Sequence, residues 1–546
     1  MKKIKISNYI FKTLNQHGVN FVPVYPSGNA LHLIDGVGNQ KKIKAFVNYH
    51  EQASGLAAEA YGRFKKLGAC CVGAGPAATN LSSAIMSAYC DSIPVVFVTG
   101  QVGMFHKKHP KIRQRGFQEV DVAEHMKPIT KYSVLVKKKE NIRYELEKAI
   151  FLALDGRPGP VVLDVPYNVQ LAYVDASKLK SYKPPKKSKK NYKNYFKTIL
   201  KNINKSKRPV ILLGGGLSCA KLRNKNDLFR ILEKLNIPVC TTWAATDLLY
   251  FDYSLNLGDV GRGGKRSAVY AIQESDLLIT FGTRFTPKIV IDEKKFANKA
   301  KFISVDIDMA EMTHALVKVD YKIKADLSDF IPQFNNFLKK HPKLILNKSW
   351  NQRAKELKDK FYIVDETINL GKNINKYISP YKFISELYNA ADTSAIFIPD
   401  AGMNDNWTYQ ANRLKKGQRL FTGFGAGPMG YSLPAGIGAF YATKSNQIIV
   451  IAGDGGFQMN IQELEAISFH KIPIKIFILN NECLGNTKFP VLKLFKNTLG
   501  NDKKGGYSWP DFCEVARAYK IEGHEVNSKT KLKPFLNKIL KSKKPS

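Results

Sequence analysis

Acidic residues are scarce in this sequence. Its 546 residues include 45 Asp and Glu against 85 Lys and Arg, which gives a formal net charge of +40. An excess of this size suggests a nucleic-acid partner, because clustered cations neutralise phosphates. The cations, however, are 70 Lys and only 15 Arg, whereas recognition of bases and phosphates favours the Arg guanidinium. We therefore expect no nucleic-acid partner.

Paired cysteines and long apolar runs are also missing. The seven cysteines are scattered, odd in number and form no C-x-x-C pair, which argues against a disulfide framework or a zinc site and favours the reducing cytoplasm. No run of about 18 apolar residues occurs, and polar residues interrupt any N-terminal signal sequence. We expect no membrane association. Hydrophobic residues make up 44% of the chain, enough for several folded domains.

Short apolar strands alternate with helix-length segments along almost the whole chain. Runs rich in Val, Ile and Leu are typical of strands buried on both faces of a parallel sheet. We predict an α/β protein of three domains, each a parallel sheet flanked by helices. The predicted strands span residues 93–99, 160–165, 209–213, 277–281, 302–306, 395–398, 447–452 and 474–479.

The predicted domains span residues 1–175, 207–340 and 379–546. Between the first two lies a Lys-rich segment, 176–206, which we interpret as a solvated linker, with binding of a polyanion as the alternative. A polar helical connector, 341–378, precedes the third domain. We expect the third domain to lack its last strand.

The most informative segment places Asp454 and Asn481 after two successive predicted strands. The first strand ends in a turn through Gly453, Gly455 and Gly456, and a helix follows at about residues 460–469. Both strand ends lie at the carboxyl edge of one parallel sheet, where ligands bind. Carboxylate and amide oxygens suit Mg²⁺, and glycine amides at a helix N-terminus suit phosphates. The segment therefore predicts a site for a diphosphate and magnesium.

This segment, GDGGFQMNIQELEA followed by ILNN, resembles the thiamine diphosphate (ThDP) motif of the acetolactate synthase large-subunit family. The resemblance implies that Asp454, Asn481 and the backbone carbonyl of Cys483 hold Mg²⁺ on the cofactor diphosphate. Upstream, FGAGPMGYSLPAGIGA matches the family's Gly-Met-Gly stretch. By resemblance, Met429 is the apolar wedge that bends ThDP. The first and third domains would then be the pyrimidine-binding and diphosphate-binding domains.

In the first domain, AFVNYHEQASGLAAEAYGR carries a lone acid, Glu51, in the first turn of a predicted helix. An isolated acid at this position usually pairs with the helix dipole. The resemblance assigns Glu51 a catalytic role, as the carboxyl group that shares a proton with the aminopyrimidine of ThDP. It also places Phe117 and Gln118 near the reacting carbon, and the backbone of Ser27 and Gly28 near the thiazolium ring.

The second domain resembles the family's central, FAD-type domain, with Gly-rich strand ends such as PVILLGGGL. Without the spaced GxGxxG fingerprint, these glycines alone are a weak signal. The family's Arg-Phe-Asp-Asp-Arg stretch appears here as RFTPK, residues 284–288. We expect FAD as a third cofactor, and the residues that the resemblance assigns to it are Arg157, Gly258, Gly261, Gly264, Gly282 and Arg284.

The resemblance implies a ThDP- and Mg²⁺-dependent carboligase that decarboxylates pyruvate, a 2-keto acid, and transfers the two-carbon unit to a second carbonyl compound. Adjacent catalytic histidines, typical of aldehyde-releasing decarboxylases, are absent from residues 103–116, where His106 and His109 are separated. Family active sites form between subunits. Because Glu51 and Asp454 belong to different domains, we expect a homodimer or homotetramer.

The sequence leaves the acceptor open between a 2-keto acid and a nucleotide-activated ketosugar. The family's acceptor-pocket Trp is replaced by Pro490. The loop at residues 103–116 resembles homologues that act on nucleotide sugars, and its cations could meet a diphosphate. A non-enzymatic polyanion-binding protein on a relic ThDP fold is the remaining alternative. The cations of the loop are Lys107, Lys108, Lys111, Arg113 and Arg115.

Overall fold

A computed structural model describes residues 3–107, 109, 111–186, 188, 190–220, 226–341, 348–362 and 377–546. Three parallel sheets, each flanked by helices, follow one another along the chain. The predicted α/β architecture is therefore confirmed. Within the described ranges, no helix combines the length and the apolar character needed to cross a membrane. Lys108 and much of the predicted connector lie outside these ranges.

The first domain contains a parallel sheet in the order β3-β2-β4-β5-β7-β6, and β1 pairs with β8 in a separate antiparallel ribbon. Every residue of the central strand β5 is buried, which explains its mainly apolar sequence. The elements are β1 (Ile4–Lys5), α1 (Ile6–Gln16), β2 (Phe21–Val24), α2 (Leu31–Gly38), β3 (Lys44–Val47), α3 (Glu51–Phe64), β4 (Gly68–Val72), α4 (Pro76–Asn80), α5 (Ser82–Cys90), β5 (Val95–Gln101), α6 (Val122–Met126), β6 (Tyr132–Leu135), α7 (Ile142–Leu154), β7 (Val161–Pro166), α8 (Tyr167–Gln170) and β8 (Tyr173–Val174).

The second domain contains a parallel sheet in the order β11-β10-β9-β12-β13-β14. Trp350 of α15 donates its indole N–H to the carbonyl of Pro209 at 3.0 Å. This helix, which we predicted as part of the connector, therefore packs on the second domain. The elements are α9 (Lys193–Lys205), β9 (Pro209–Leu213), α10 (Gly216–Cys219), α11 (Asn226–Leu235), β10 (Val239–Thr241), β11 (Asn256–Asp259), α12 (Arg266–Glu274), β12 (Leu277–Phe281), β13 (Lys301–Asp306), α13 (Met309–Thr313), β14 (Tyr321–Lys324), α14 (Leu327–Lys339) and α15 (Lys348–Lys360).

The Lys-rich segment differs in part from the predicted solvated linker, because α9 lies within it. Phe196, Ile199 and Ile203 of this helix are buried in the core of the second domain. The Lys side chains of α9 are exposed. Apolar residues at helical spacing therefore decide the structure of this stretch, and the charge occupies its solvent face.

The third domain contains a parallel sheet in the order β16-β15-β17-β18. Beside β18, the backbone of Ser546 exchanges hydrogen bonds with Ile474 and Ile476. The elements are α16 (Pro380–Ala390), β15 (Ile396–Pro399), α17 (Met403–Gln410), β16 (Arg419–Leu420), α18 (Ser432–Thr443), β17 (Ile448–Gly453), α19 (Asp454–Gln458), α20 (Glu463–Phe469), β18 (Ile474–Leu479), α21 (Gly485–Phe495), α22 (Phe512–Ala518) and α23 (Leu532–Lys541).

The first and third domains pack directly against each other through α3 and α18. Gly438 of α18 lies so close to α3 that a Cβ at this position would be 2.1 Å from the carbonyl oxygen of Ala57. Beside this crossing, the rings of Phe21 and Tyr441 stack with their centroids 4.4 Å apart. The small residues of the two helices permit this approach. The crossing fixes the carboxyl edge of the first sheet relative to that of the third.

Candidate functional site

Glu51 is the first residue of α3, after the turn that follows β3. Its side chain is only 8% exposed, and Asn80 Nδ2 donates a 2.9 Å hydrogen bond to Glu51 Oε2. His50 caps the helix, because its ring accepts the backbone N–H of Gln52. The Glu51 carboxyl group is therefore nearly buried and held in one orientation by Asn80.

The loop after β2 lies against the turn after β4, at the same edge of the first sheet. A Cβ on Gly73 would be 2.1 Å from Ser27 Oγ, so only glycine fits this approach. Gly28 follows Ser27 and begins a short 3₁₀ turn. The two residues predicted to contact the thiazolium ring thus lie beside the turn that leads to Asn80.

The loop after β5 brings Phe117 and Gln118 to this edge. A Cβ on Gly75 would be 2.5 Å from the carbonyl oxygen of Gln118, and both residues have a positive φ. The carbonyl of Phe117 accepts a 3.3 Å hydrogen bond from Asn29 Nδ2. The ring of Phe117 is 83% exposed. The structure therefore fixes the backbone of this loop and leaves an aromatic ring at its surface.

Asp454 begins α19, at the carboxyl end of β17, and its side chain is buried. The backbone N–H groups of Gly455 and Cys483 donate to its two carboxylate oxygens at 2.7 and 3.2 Å. Burial raises the pKa of Asp454, and these backbone donors oppose the shift. Asn481 is exposed in the turn after β18. The structure thus brings all three predicted magnesium ligands to one sheet edge.

The glycine turn around Asp454 leaves no room for side chains. Gly453, the last residue of β17, leads into this turn. A Cβ on Gly455 would lie 2.3 Å from Leu484 and 3.4 Å from Met429 Cε. A Cβ on Gly456 would approach a carboxylate oxygen of a neighbouring strand end at 2.6 Å. Met429 therefore lies over the same turn as Asp454.

Two side chains that the sequence analysis missed hold the loop of Met429. Asp400 is buried after β15 and accepts the backbone N–H groups of Gly430 and Ser432 at 2.9 and 2.8 Å. Asn460 Nδ2 donates to the carbonyl of Gly430 at 2.8 Å. Asp400 follows a predicted strand at the same edge as Asp454, and that position was a usable signal. Nothing in the local sequence distinguishes Asn460.

Glu463, at the start of α20, is a third side chain that the sequence analysis missed. It is completely buried, and it accepts hydrogen bonds from Asn48 Nδ2 at 2.7 Å and from the backbone N–H of Tyr49 at 2.8 Å. Burial raises the pKa of Glu463 to about 7, while the donors from Asn48, Tyr49 and His50 oppose this shift. Glu463 of the third domain thus holds the turn before Glu51 through two hydrogen bonds.

Glu51 and Asp454 of one chain do not share a hydrogen-bond partner among the described residues. Glu51 bonds to Asn80 in the first domain, whereas Asp454 bonds to Gly455 and Cys483 in the third. Within a single chain, the two predicted halves of the cofactor site are therefore not joined through a common hydrogen-bond partner among the described residues.

A separate cavity of about 460 Å³ lies where the three domains meet. Trp243 of the second domain forms part of its wall and stacks on Tyr409 of the third, with ring centroids 4.5 Å apart and planes 3° apart. Burial raises the pKa of Asp306, another wall residue, to about 6. The cavity offers aromatic, cationic and carboxylate groups to one ligand.

The six residues predicted for FAD divide into two groups. Arg157, Gly282 and Arg284 line the cavity. The others lie in or directly after β11, in the turn that carries Val260 and Arg262 to the cavity wall, and they are Gly258, Gly261 and Gly264.

Two cations near the cavity are already engaged. Arg157 Nη1 pairs with Asp308 and Glu311 at 3.0 and 2.7 Å. Lys288, in the stretch that departs from the family pattern, donates its ammonium to the carbonyl of Phe424 at 3.2 Å. The departure thus ties the second domain to the loop before Met429.

A buried ion cluster connects this cavity with α3. Arg63 of α3 pairs with Glu59 and with Asp91, the latter at 2.6 Å. Asp91 also accepts the backbone N–H groups of Phe424 and Gly425, both at 2.8 Å. The cluster holds the beginning of the Gly-rich loop of the third domain against the first domain.

In the basic loop at residues 103–116, one cation forms ion pairs within the first domain and three others are exposed to solvent. Lys107 pairs with Asp121 at 2.9 Å and with Glu119 at 3.5 Å. Lys111, Arg113 and Arg115 are exposed. Three cations therefore remain at the surface of the segment that leads to Phe117.

Comparisons with known families agree with this geometry. The N-terminal TPP binding domain of thiamine pyrophosphate enzymes matches residues 4–125, the central domain matches residues 196–334, and the C-terminal TPP binding domain matches residues 400–546. Thiamine pyrophosphate is another name for ThDP. The fold and the sheet edges described above thus define a thiamine pyrophosphate enzyme with all three of its domains.

Individual relatives specify the family. A probable acetolactate synthase large subunit from Methanocaldococcus jannaschii is 33% identical over 559 residues, which cover 99% of this chain and 91% of the relative. Acetolactate synthase isozyme 1 large subunit from Escherichia coli is 31% identical and covers 100% of this chain and 93% of its own. The acetolactate synthase large subunit from Lactococcus lactis is 32% identical, with coverage of 96% and 89%. The chain belongs to the acetolactate synthase large-subunit family.

Proposed function

We propose that this protein is a ThDP- and Mg²⁺-dependent carboligase that decarboxylates pyruvate and transfers the two-carbon unit to a second carbonyl compound. One observation carries the proposal: Asp454, Cys483 and the Met429 loop converge on a glycine turn at the carboxyl edge of the third sheet. The relatives described above are acetolactate synthase large subunits, which supports acetolactate synthesis as the reaction.

The donor set at this turn fits a magnesium diphosphate. Asp454 supplies a carboxylate, Asn481 an amide oxygen and Cys483 a backbone carbonyl, which leaves positions for phosphate oxygens and water in an octahedron. Gly455 and Gly456 have no side chains, so phosphate oxygens can approach the backbone beside these ligands. ThDP supplies a stabilised carbanion, which is the chemistry that a 2-keto acid needs to lose CO₂.

Glu51 has the properties of a proton-holding group for this chemistry. It is nearly buried, and its Oε2 atom is oriented by Asn80. In the proposed site its carboxyl group shares a proton with the pyrimidine ring nitrogen of ThDP. Phe117 and Gln118 form the wall on the side of the substrate, and Ser27 and Gly28 form the wall on the side of the thiazolium ring.

A homodimer supplies the arrangement that a single chain lacks. Glu51 and Asp454 of one chain have separate partners, so we propose that each site combines Glu51 of one subunit with Asp454 of the other. Exposed apolar side chains near these elements support a protein interface, and they include Met86, Tyr89, Met459 and Phe469. A homotetramer would be two such dimers.

We also propose that the cavity between the domains holds FAD. Its volume of about 460 Å³ is within the usual range for ligand pockets. Arg284 and Arg262 offer donors to the phosphates, and Asp306, at the end of β13, can accept ribose hydroxyls. Denaturing the purified protein and recording the absorbance of the supernatant tests this, because released flavin has a visible spectrum.

The principal test combines the protein with ThDP, Mg²⁺ and pyruvate and measures CO₂ and acetolactate. We expect both products in equal amounts, and neither when ThDP is omitted. If pyruvate is not consumed with any carbonyl acceptor, the carboligase proposal is wrong. Steeply salt-dependent nucleic-acid binding without stabilisation by ThDP would instead favour the polyanion-binding alternative.

A second acceptor class follows from the exposed cations of the basic loop. Lys111, Arg113 and Arg115 lie on the segment before Phe117, where they could attract the diphosphate of a nucleotide-activated ketosugar. A competition assay with pyruvate as donor and both acceptors present decides between them. Replacing the three cations with Gln should lower the rate with the nucleotide sugar and leave acetolactate formation unchanged.

A further inference from the structure

Glu463 is a carboxylate at a buried position between two domains. An apolar side chain there would be buried with a smaller loss of hydration free energy. Glu463 is completely buried between the first and third domains, and no Lys or Arg of the described residues forms an ion pair with it. Burying a carboxylate without a cation is unfavourable. Its specific contribution is therefore its two oxygens, which accept donors from Asn48 and Tyr49 at 2.7 and 2.8 Å.

These two donors lie directly before Glu51. Asn48 is itself completely buried, and its backbone N–H bonds to the carbonyl of Val24 on the neighbouring strand. Tyr49 and His50 then lead to the first residue of α3. Only one or two residues separate these two donors from Glu51. A shift of this turn therefore displaces the Glu51 carboxyl group.

On its other side, Glu463 connects to Asp454, which in the proposed dimer serves the second of the two cofactor sites. Segment 454–463 begins with Asp454, bonds to the Met429 loop through Asn460 at 2.8 Å, and ends at Glu463. One short segment thus touches the proposed metal ligand, the loop of the proposed wedge and the turn of the proposed proton-holding group. Glu463 connects this segment to the first domain through its hydrogen bonds to Asn48 and Tyr49.

We propose that Glu463 is a positioning residue for Glu51, an inference that rests on the proposed function. It acts by accepting the side-chain N–H of Asn48 and the backbone N–H of Tyr49, which sets the direction in which α3 presents Glu51. Because Glu463 is completely buried and bonded to Asn48 and Tyr49, we assign it a positioning role and not a chemical one. Its removal should therefore affect the proton held at the pyrimidine and leave the diphosphate end of the site intact.

The test uses Glu463→Gln in the full-length protein. The amide keeps the shape of the side chain, but its NH₂ group then faces one of the two donors. We expect kcat to fall about 10- to 100-fold, the cost typical of a misplaced catalytic group, while the Kd for Mg·ThDP changes less than about threefold. The near-ultraviolet circular dichroism of bound ThDP, which distinguishes its amino and imino forms, should show less of the imino form.

Glu465→Gln is the matched control, because this residue lies on the same helix and is only partly buried. Should Glu463→Gln match Glu465→Gln in kcat and in the dichroism signal, Glu463 has no positioning role. Asn48→Ala removes one of the two donors and should shift the same signal in the same direction. It serves as the second test if Glu463→Gln does not fold.

Failure of this inference is distinguishable from failure of the proposed function. If the wild-type protein neither binds ThDP nor consumes pyruvate, the proposed function is wrong. Suppose instead that the wild-type protein binds ThDP and consumes pyruvate. If the Glu51→Gln variant then loses the dichroism signal of the imino form, while the Glu463→Gln and Asn48→Ala variants keep it, only the inference is wrong.

Discussion

Asn80 Nδ2, in the last residue of α4, donates a 2.9 Å hydrogen bond to Oε2 of Glu51, the first residue of α3. This bond orients a carboxyl group that is only 8% exposed. The backbone of α3 is in turn fixed by its crossing with α18. The position of Glu51 therefore depends on both the first and the third domain.

We predict that Glu51→Gln lowers kcat for pyruvate about 100- to 10,000-fold, the usual loss when a general acid–base group is removed. Gln has the same shape but cannot release or accept the proton. The affinity for Mg·ThDP should persist, because Asp454 and its neighbours are unchanged. Steady-state kinetics and a ThDP titration measure the two effects. Glu514→Gln, at an exposed site, is the control, and an undiminished rate in Glu51→Gln would remove Glu51 from its proposed role.

We predict that Asp454→Ala abolishes stabilisation by the cofactor. At a ligand concentration 100 times its Kd, a bound ligand stabilises the folded protein by about 2.7 kcal/mol. Thermal melts with and without Mg·ThDP should show a rise in the unfolding temperature for the wild type and none for the variant. Chelation of Mg²⁺ by EDTA should abolish the rise in the wild type as well. Equal shifts in both proteins would exclude Asp454 as a ligand.

We predict that Gly438→Ala weakens the packing between the first and third domains. The new Cβ would lie 2.1 Å from the carbonyl oxygen of Ala57, so the helices must separate, at a cost of about 1–3 kcal/mol. Thermal unfolding measures the loss. Gly38→Ala is the matched control, because a Cβ there meets nothing within 4 Å, and it should be neutral or slightly stabilising. Equal stability of the two variants would contradict the close crossing.

We predict a pH-dependent loss of stability from Asp164, which is buried on β7. Thr99 Oγ1 and Gln101 Nε2 donate to it at 2.8 and 3.0 Å, but burial dominates and raises its pKa from 3.8 to about 7. A raised pKa means that the folded state binds the proton more tightly than the unfolded state. This contribution is therefore complete below about pH 4 and is lost as the pH rises through 7.

The size of this effect is at most about 4.5 kcal/mol, at about 1.4 kcal/mol for each unit of pKa. The measurement is the free energy of unfolding in urea between pH 4 and pH 8, compared between the wild type and Asp164→Asn. The difference between the two proteins should change with pH in the direction given. A constant difference across this range would show that Asp164 does not titrate.

The strands and the third-domain site were predictable because their signals are local. Predicted strands 209–213, 277–281 and 474–479 coincide with β9, β12 and β18, and the other five differ by one or two residues at one or both ends. A strand buried on both faces is recognisable in the sequence as a continuous apolar run. Asp454 and Asn481 could be placed at one edge because parallel strands end on the same side of a sheet.

The interactions between domains were not predictable from local patterns. Glu463 and Tyr49 are 414 residues apart in the chain, and only the crossing of α3 with α18 brings them together. The sequence analysis likewise missed α9, because the density of Lys obscured four apolar residues at helical spacing. The predicted helix at residues 460–469 begins only at Glu463. Asn460 lies in the turn before it, and its side chain bonds to the carbonyl of Gly430 in the Met429 loop.

The stack of Trp243 on Tyr409 places one of only four tryptophans of the chain at the wall of the central cavity. An isoalloxazine ring that entered this cavity would accept excitation energy from the indole and dim its emission. The fluorescence of Trp243 would therefore report whether a flavin occupies the cavity. Intrinsic fluorescence can follow flavin loading of any variant, including variants that have lost all turnover.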